Sequence, residues 1–132
     1  MKELRIEPLK QNAQQVAEFA EASLEELGCS MKVTAKFMVA LDEIFANIVN
    51  YSGAHEAVIR IDKKDGCVSV DFADDGVPFD PLKKADPDIT LDADERDIGG
   101  LGIYIVKKSM DNVLYFYEDG KNVLKLMLNA EK

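Results

Sequence analysis

A chain of 132 residues, 47% apolar and 31% charged, has the length of one domain and too much apolar character for a disordered or fibrous protein. Its 25 acidic residues against 16 basic ones give a formal charge of -9, so it lacks the cationic surplus that nonspecific binding to DNA, RNA or an anionic membrane draws on. Cys29 and Cys67 are too few for a disulfide scaffold and too far apart for a CxxC motif, so buried free thiols in a reducing cytoplasm are expected.

Leu4 and Ile6 alternate with polar neighbours, which predicts a short edge strand ending at Pro8. The segment Met1 to Arg5 lacks the apolar core of a signal peptide, and no run approaches the roughly 18 apolar residues of a membrane span. Val16, Phe19, Ala20, Leu24 and Leu27 recur at helical spacing, and Gly28 stands where a left-handed stop belongs. Ser30 is an N-cap candidate for a longer helix marked by Val33, Phe37, Leu41, Ile44, Ile48 and Tyr51, closing near Ser52-Gly53. Ala57, Ile59 and Ile61, then Val68, Val70 and Phe72, alternate on either side of Lys64-Asp65-Gly66, the pattern of a hairpin. Leu101 to Met110 reads as a third helix, followed by strands over 113–117 and 123–128 around Asp119-Gly120. The order β-α-α-β-β-loop-α-β-β predicts an α+β, two-layer sandwich: a mixed, mostly antiparallel sheet with helices on one face.

The acid is concentrated. Ten acidic residues fall between Asp71 and Asp97 against Lys83, Lys84 and Arg96. From Asp74 to Gly100 there is no sustained periodicity, and three of the four prolines lie there. A loop longer than about 15 residues in a compact domain is usually functional or disordered. A solvated loop, a cation site and a docking surface for a basic partner all remain open on composition alone.

Three clusters carry residue types suited to chemistry. Glu43, Asn47 and Asn50 fall within roughly 60° of one another on a helical wheel. Their stripe borders the apolar face formed by Phe37, Leu41, Ile44 and Ile48. Carboxylate and amide oxygens placed so suit Mg2+ or the orientation of a nucleophile, and equally a solvated face. Asp74-Asp75-Gly76-Val77-Pro78-Phe79-Asp80-Pro81 follows a strand: glycine admits a flat ligand, and an adjacent carboxylate can accept a hydrogen bond from an exocyclic amine, although Asp-Gly before proline is also a common turn. Gly99-Gly100-Leu101-Gly102-Ile103 opens a helix, where unpaired backbone N–H groups meet the positive end of the dipole and favour phosphate. It is neither a Walker P-loop nor a dinucleotide fingerprint.

In this order, a Glu-x-x-x-Asn helix, a strand ending in Asp-x-Gly, a long loop and a Gly-x-Gly helix start resemble the GHKL ATP-binding superfamily. The nearest likeness within it is to the stand-alone bacterial serine kinases that act as anti-sigma factors, and it spans essentially the whole chain. The resemblance implies a histidine-kinase-like ATPase fold binding ATP or ADP with Mg2+. It implies Glu43 as general base on the attacking hydroxyl, Asn47 as Mg2+ ligand with Asn50 beside it, Asp75 on the adenine amino group, and Gly76 and Pro78 along the base. Gly99, Gly100, Leu101, Gly102 and Ile103 would line the phosphates, and residues from about Lys83 to Ile98 would form the ATP lid, with Arg96 as its one guanidinium toward the γ-phosphate. The implied reaction phosphorylates a serine or threonine on a STAS-type anti-anti-sigma partner, and the chain would also sequester a sigma factor or similar regulator. A partner switch gated by ATP without useful kinase activity is the alternative. Close relatives dimerise through the sheet, which implies a homodimer; neither nucleic acid nor membrane is an expected partner. A sensor histidine kinase would need a phosphoacceptor histidine on a helix, and the one histidine, His55, stands at the start of a strand. Tyr51 occupies a position where many relatives have histidine, Pro78 replaces the second glycine of the Asp-x-Gly-x-Gly box, and the threonine common near adenine in the last strands has no match around Lys121 to Leu126.

Overall fold

A computed structural model describes residues 1–83 and 100–130. Strand β1 (Lys2–Ile6) leads through a 3-10 turn into helices α1 (Ala13–Glu26) and α2 (Met31–Asn47). Strands β2 (Ala57–Lys64) and β3 (Cys67–Asp74) follow, then helix α3 (Gly100–Ser109) and strands β4 (Asn112–Glu118) and β5 (Lys121–Asn129). The five strands lie in the order β1-β2-β3-β5-β4. Every neighbouring pair is antiparallel, the limit of the mostly antiparallel sheet expected.

Local chemistry accounts for the boundaries. Helix α1 ends in a Schellman motif, with Gly28 at φ +76°, Gly28 N donating to Glu25 O and Cys29 N to Leu24 O. Ser30 caps α2 by accepting from Val33 N at 3.1 Å. Both hairpins close on two-residue loops, Asp65-Gly66 and Asp119-Gly120, with positive φ at both residues. That is the geometry whose twist matches the strands it joins.

The sheet has two different faces. Ile59, Ile61, Val68, Val70, Phe72, Leu126 and Leu128 point to one side and are almost fully buried against Val33, Phe37 and Leu41 of α2 and Val16, Ala20 and Leu24 of α1. On the other side, register aligns Glu3, Arg60, Asp71 and Lys125 across four strands, with Arg60 Nε 2.7 Å from Glu3 and Lys125 Nζ 3.9 Å from Asp71. Exposed Leu114 and Phe116 on β4 extend that open face. The cysteines depart from expectation. Both are free, but Cys29 is only half-buried and Cys67 is exposed, because Cys67 alternates with the buried Val68 and so points to the open face of the sheet.

Candidate active site

The site forms where the C-terminal end of α2, the loop after β3 and the first turn of α3 meet the inner face of β5. Buried apolar side chains of α2, Val33, Phe37, Leu41 and Ile44, fasten it to the core, which leaves Glu43 and Asn47 at the border. Asn47 lines a cavity whose apolar walls are Ile44, Ile48, Phe72, Ile103 and Leu124. After Asn47 the chain winds as a π-helical turn over Ile48–Ser52, ended by Gly53 at φ +65°. The wider turn breaks the α-helical phase. Asn50 is therefore carried off the stripe: it is exposed and lies outside the cavity lining, contrary to expectation.

Ser52 ties this turn to the loop after β3. Its hydroxyl donates to Ile48 O at 2.7 Å and accepts from Ala54 N at 3.0 Å. Its carbonyl accepts from Val77 N at 3.0 Å. Gly76 is pressed so closely on Ser52 that a Cβ there would sit 2.3 Å from the Ser52 carbonyl oxygen. Only glycine fits without moving backbone.

The carboxylate facing the cavity is Asp74, not Asp75. Asp74 is 6% exposed, and one of its oxygens accepts from Gly76 N at 2.9 Å and Asn122 Nδ2 at 3.1 Å. Asp75 turns away, because its side chain accepts from His55 N at 2.7 Å and Glu56 N at 3.1 Å. The backbone N–H of Glu56, then that of His55, holds the Asp75 carboxyl below the usual carboxylate range. Successive strand residues point to opposite faces, so only one of two adjacent aspartates can face inward. Counting the Asp-x-Gly spacing back from Gly76 falls on Asp74, so the signal was present in the sequence. Pro78 is exposed and does not line the cavity, whereas Phe79 and Pro81 do.

Asn122, which the sequence reading passed over, is the hub of the loop. It is 5% exposed. Its amide donates to Asp74 and to Val77 O at 2.8 Å, and its carbonyl accepts from Phe79 N at 2.9 Å and from the Tyr115 hydroxyl. Burial pushes the Tyr115 hydroxyl up, the nearby Asp80 and Asp74 carboxylates add to the rise, and the Phe79 backbone opposes it. An asparagine at the start of an amphipathic strand reads as a solvent-facing residue; only the pairing of β5 with β3, which sets Asn122 opposite Asp74, reveals it.

Glu43 reaches across to α3. A Cβ on Gly102 would lie 2.0 Å from the Glu43 carboxyl carbon, so the helix start and the carboxylate approach through the gap that glycine leaves. Burial pushes the Glu43 carboxyl up, a hydrogen bond from Asn47 opposes the shift, and Asp42 adds to it. Gly100, Leu101, Gly102 and Ile103 form the first turn of α3, and Ile103 faces the cavity. Gly99, Arg96 and the expected lid lie outside the described residues, apart from Lys83 at its start. Among the described residues no group of three or more His, Cys, Asp or Glu could hold a metal. Asn47, at the cavity, would offer a side-chain oxygen to Mg2+, which suits an ion that keeps waters and is shared with nucleotide phosphates.

The chain resembles known proteins in sequence and in fold. The profile of the histidine kinase-like ATPase domain matches residues 6–128. The chain is 28% identical over 101 residues to the serine/threonine-protein kinase BtrW of Bordetella bronchiseptica, covering 74% of this chain and 71% of that protein. It is 26% identical over 113 residues to the serine-protein kinase RsbW of Listeria monocytogenes, covering 80% and 72%. Among solved structures, it superposes on the RsbU and RsbW domains of a Mycobacterium tuberculosis protein with a TM-score of 0.64 at 15% identity, over 98% of this chain and 32% of that one. It therefore spans about a third of that larger structure. The catalytic domain of the histidine kinase ThkA matches with a TM-score of 0.55 at 12% identity over 99% of both chains. These two likenesses concern the fold.

Proposed function

The chain belongs to the histidine kinase-like ATPase domain family, and from that membership we propose that it is an anti-sigma-type protein serine/threonine kinase using ATP and Mg2+. The observation that carries the reading is Asp74, a nearly buried carboxylate in an apolar cavity, with one oxygen engaged by Gly76 and Asn122. Its second oxygen is the acceptor for the exocyclic amine of adenine, a group that a 6-oxo purine lacks. The apolar walls cover the faces of the base. The triphosphate runs toward the first turn of α3, where backbone N–H groups and the positive end of the helix dipole favour anions.

Asn47 would hold Mg2+, which would supply charge neutralisation of the phosphates. Glu43 stands one helical turn before Asn47. In the transfer, the partner's serine or threonine oxygen forms a bond to the γ-phosphorus, the bond to the β-γ bridging oxygen breaks, ADP leaves, and the hydroxyl proton passes to Glu43. Burial of Glu43 raises its proton affinity, which strengthens it as a base. Gly99 and Arg96 remain proposed contacts to the phosphates.

The protein partner of this reading is a STAS-type anti-anti-sigma protein, with a sigma factor or similar regulator held in the alternate complex. A homodimer would use the open face of the sheet, and the protein would act in the cytoplasm. No helix among the described residues is long and apolar enough to cross a membrane. The test is γ-labelled ATP incubated with this chain and a candidate STAS partner, followed by mapping of phosphoserine or phosphothreonine. Label on the partner supports the reading. ATP binding with no transfer to any cognate partner would replace it with an ATP-gated binding module.

A further inference from the structure

Outside the nucleotide cavity, α1 and α2 part along their outer surfaces into a groove of about 470 Å3. Cys29, Met31, Thr34, Ala35 and Met38 line it together with the carboxylates Glu21 and Glu25. Met38 also borders a smaller hollow with Ala13, Ala17 and Asp42, so the depression continues along the helix pair. No residue of either feature lines the nucleotide cavity.

Two properties of the groove are hard to explain as ordinary surface. The first is apolar exposure: Met31 is 91% exposed, and it shares with Ala35 and Met38 a line along α2. Methionine is flexible and polarisable, and clusters of it adapt to varied apolar partners. The second is carboxylate charge without an ion pair, with Lys63, held by Leu27 O, as the cation near the Cys29 end. Helix α1 carries Glu18, Glu21, Glu25 and Glu26 and no lysine or arginine. Glu26 is paired with Lys2 at 2.9 Å and Glu18 accepts from Gln14, but Glu21 and Glu25 have no ion pair among the described residues. Lys32 and Lys36 of α2 cannot supply one, because they point about 100° to 140° away from the Met31 direction. Asp42 lies within about 20° of that direction and adds a third carboxylate at the far end.

An apolar groove that also carries carboxylates without an ion pair is complementary to a helix with apolar residues on one face and lysine or arginine on its flanks. Seating such a helix buries i, i+3 and i+4 anchors, while the charges fix orientation and reject acidic competitors. A second copy of this chain would bring the same glutamates, and an anionic membrane would be repelled. We propose that the α1–α2 groove is a docking surface for a basic amphipathic helix of a partner protein, seated on Met31, Ala35 and Met38 and paired with Glu21, Glu25 and Asp42. The surface is separate from the nucleotide cavity, so it stands or falls independently of phosphoryl transfer.

The experiment uses the full chain labelled with 13C at its methionine methyls and titrates it with a designed helical peptide, leucine on one face and lysine on the other. The Met31 and Met38 resonances are expected to shift saturably, while Met1, Met110 and Met127 stay in place. The same peptide with glutamate for lysine is expected not to bind. The double variant Glu21→Lys, Glu25→Lys should raise the dissociation constant at least tenfold with ATP binding unchanged. Met31→Ser, at a position too exposed to matter for folding, should raise it several-fold. Absence of binding, shifts at Met110 or Met127 instead, equal binding of the acidic peptide, or unchanged affinity in both variants would each overturn the proposal.

Discussion

Replacing Asn122 by alanine removes four close hydrogen bonds at once, and a fifth, longer one to Gly76 O at 3.5 Å. The close partners lost are Asp74 and Val77 O, which its amide serves, and Phe79 N and the Tyr115 hydroxyl, which its carbonyl accepts. Gly76 N still donates to Asp74, so that carboxylate keeps one partner. A buried polar group left without a partner costs about 1–3 kcal/mol, and water entering the vacated space recovers part of it. With Val77 O, Phe79 N and Tyr115 all affected, the expected loss is about 2–4 kcal/mol of folding stability, read as a lower urea midpoint at unchanged slope. The functional effect should exceed what partial unfolding explains. With the loop from Gly76 to Phe79 unpinned, ATP affinity measured on the fully folded population should fall at least tenfold. Asn122→Asp is the sharper probe, since it places a second carboxylate where an amide donor stood 3.1 Å from Asp74. The two would share a proton, so this variant should bind ATP worse at neutral pH than at mildly acidic pH. A wild-type urea midpoint together with wild-type ATP affinity in Asn122→Ala would refute the assignment of Asn122 as the hub of the site.

Other perturbations follow from the same geometry. Gly76→Ala forces a methyl to 2.3 Å from the Ser52 carbonyl, a backbone atom that cannot step aside, and should cost about 1–3 kcal/mol in thermal or urea unfolding. Gly102→Ala meets instead the mobile end of Glu43; folding should hardly change, while displacement of the carboxylate lowers phosphoryl transfer measured with labelled ATP. Glu43→Ala should keep nucleotide binding and lose transfer by about 100-fold or more; normal turnover would remove Glu43 as base. The folded-state pKa of Glu43 is raised by burial, so its ionisation opposes folding as pH rises through that value. Glu43→Gln should therefore melt higher than wild type at neutral pH, with the gain fading in acid. Asp75 has the opposite sign: its folded pKa is lowered, so its stabilising contribution is present above the ordinary aspartate pKa and fades as pH falls through the lowered value. Asp75→Asn should flatten the acid limb of the stability profile.

Much of the architecture is local and was therefore legible. Gly28, Ser30, Asp65-Gly66 and Asp119-Gly120 each impose a backbone geometry that few other residues tolerate, so both hairpins and the ends of the first two helices could be read directly. Within the candidate site, local signals foretell position: Asn47 lies at the cavity and Gly102 against Glu43 at the start of α3. Such signals fail where tertiary contacts decide. The π turn that swings Asn50 outward is held by Ser52 against Val77, 25 residues along the chain. Asp74 and Asp75 are chemically identical neighbours, and their roles divide only once β3 has a buried face and the N–H groups of His55 and Glu56 stand ready to take Asp75. Asn122 and Asp74 are 48 residues apart in the chain and meet only through β3–β5 pairing.

The central claim is that the cavity at Asp74 receives the adenine of ATP. Calorimetric titration of Mg-ATP into the wild-type chain and the Asp74→Asn and Asp75→Asn variants tests it most directly. Wild type and Asp75→Asn should bind with similar affinity, and Asp74→Asn at least tenfold more weakly. Full affinity in Asp74→Asn, or a loss confined to Asp75→Asn, would contradict the account.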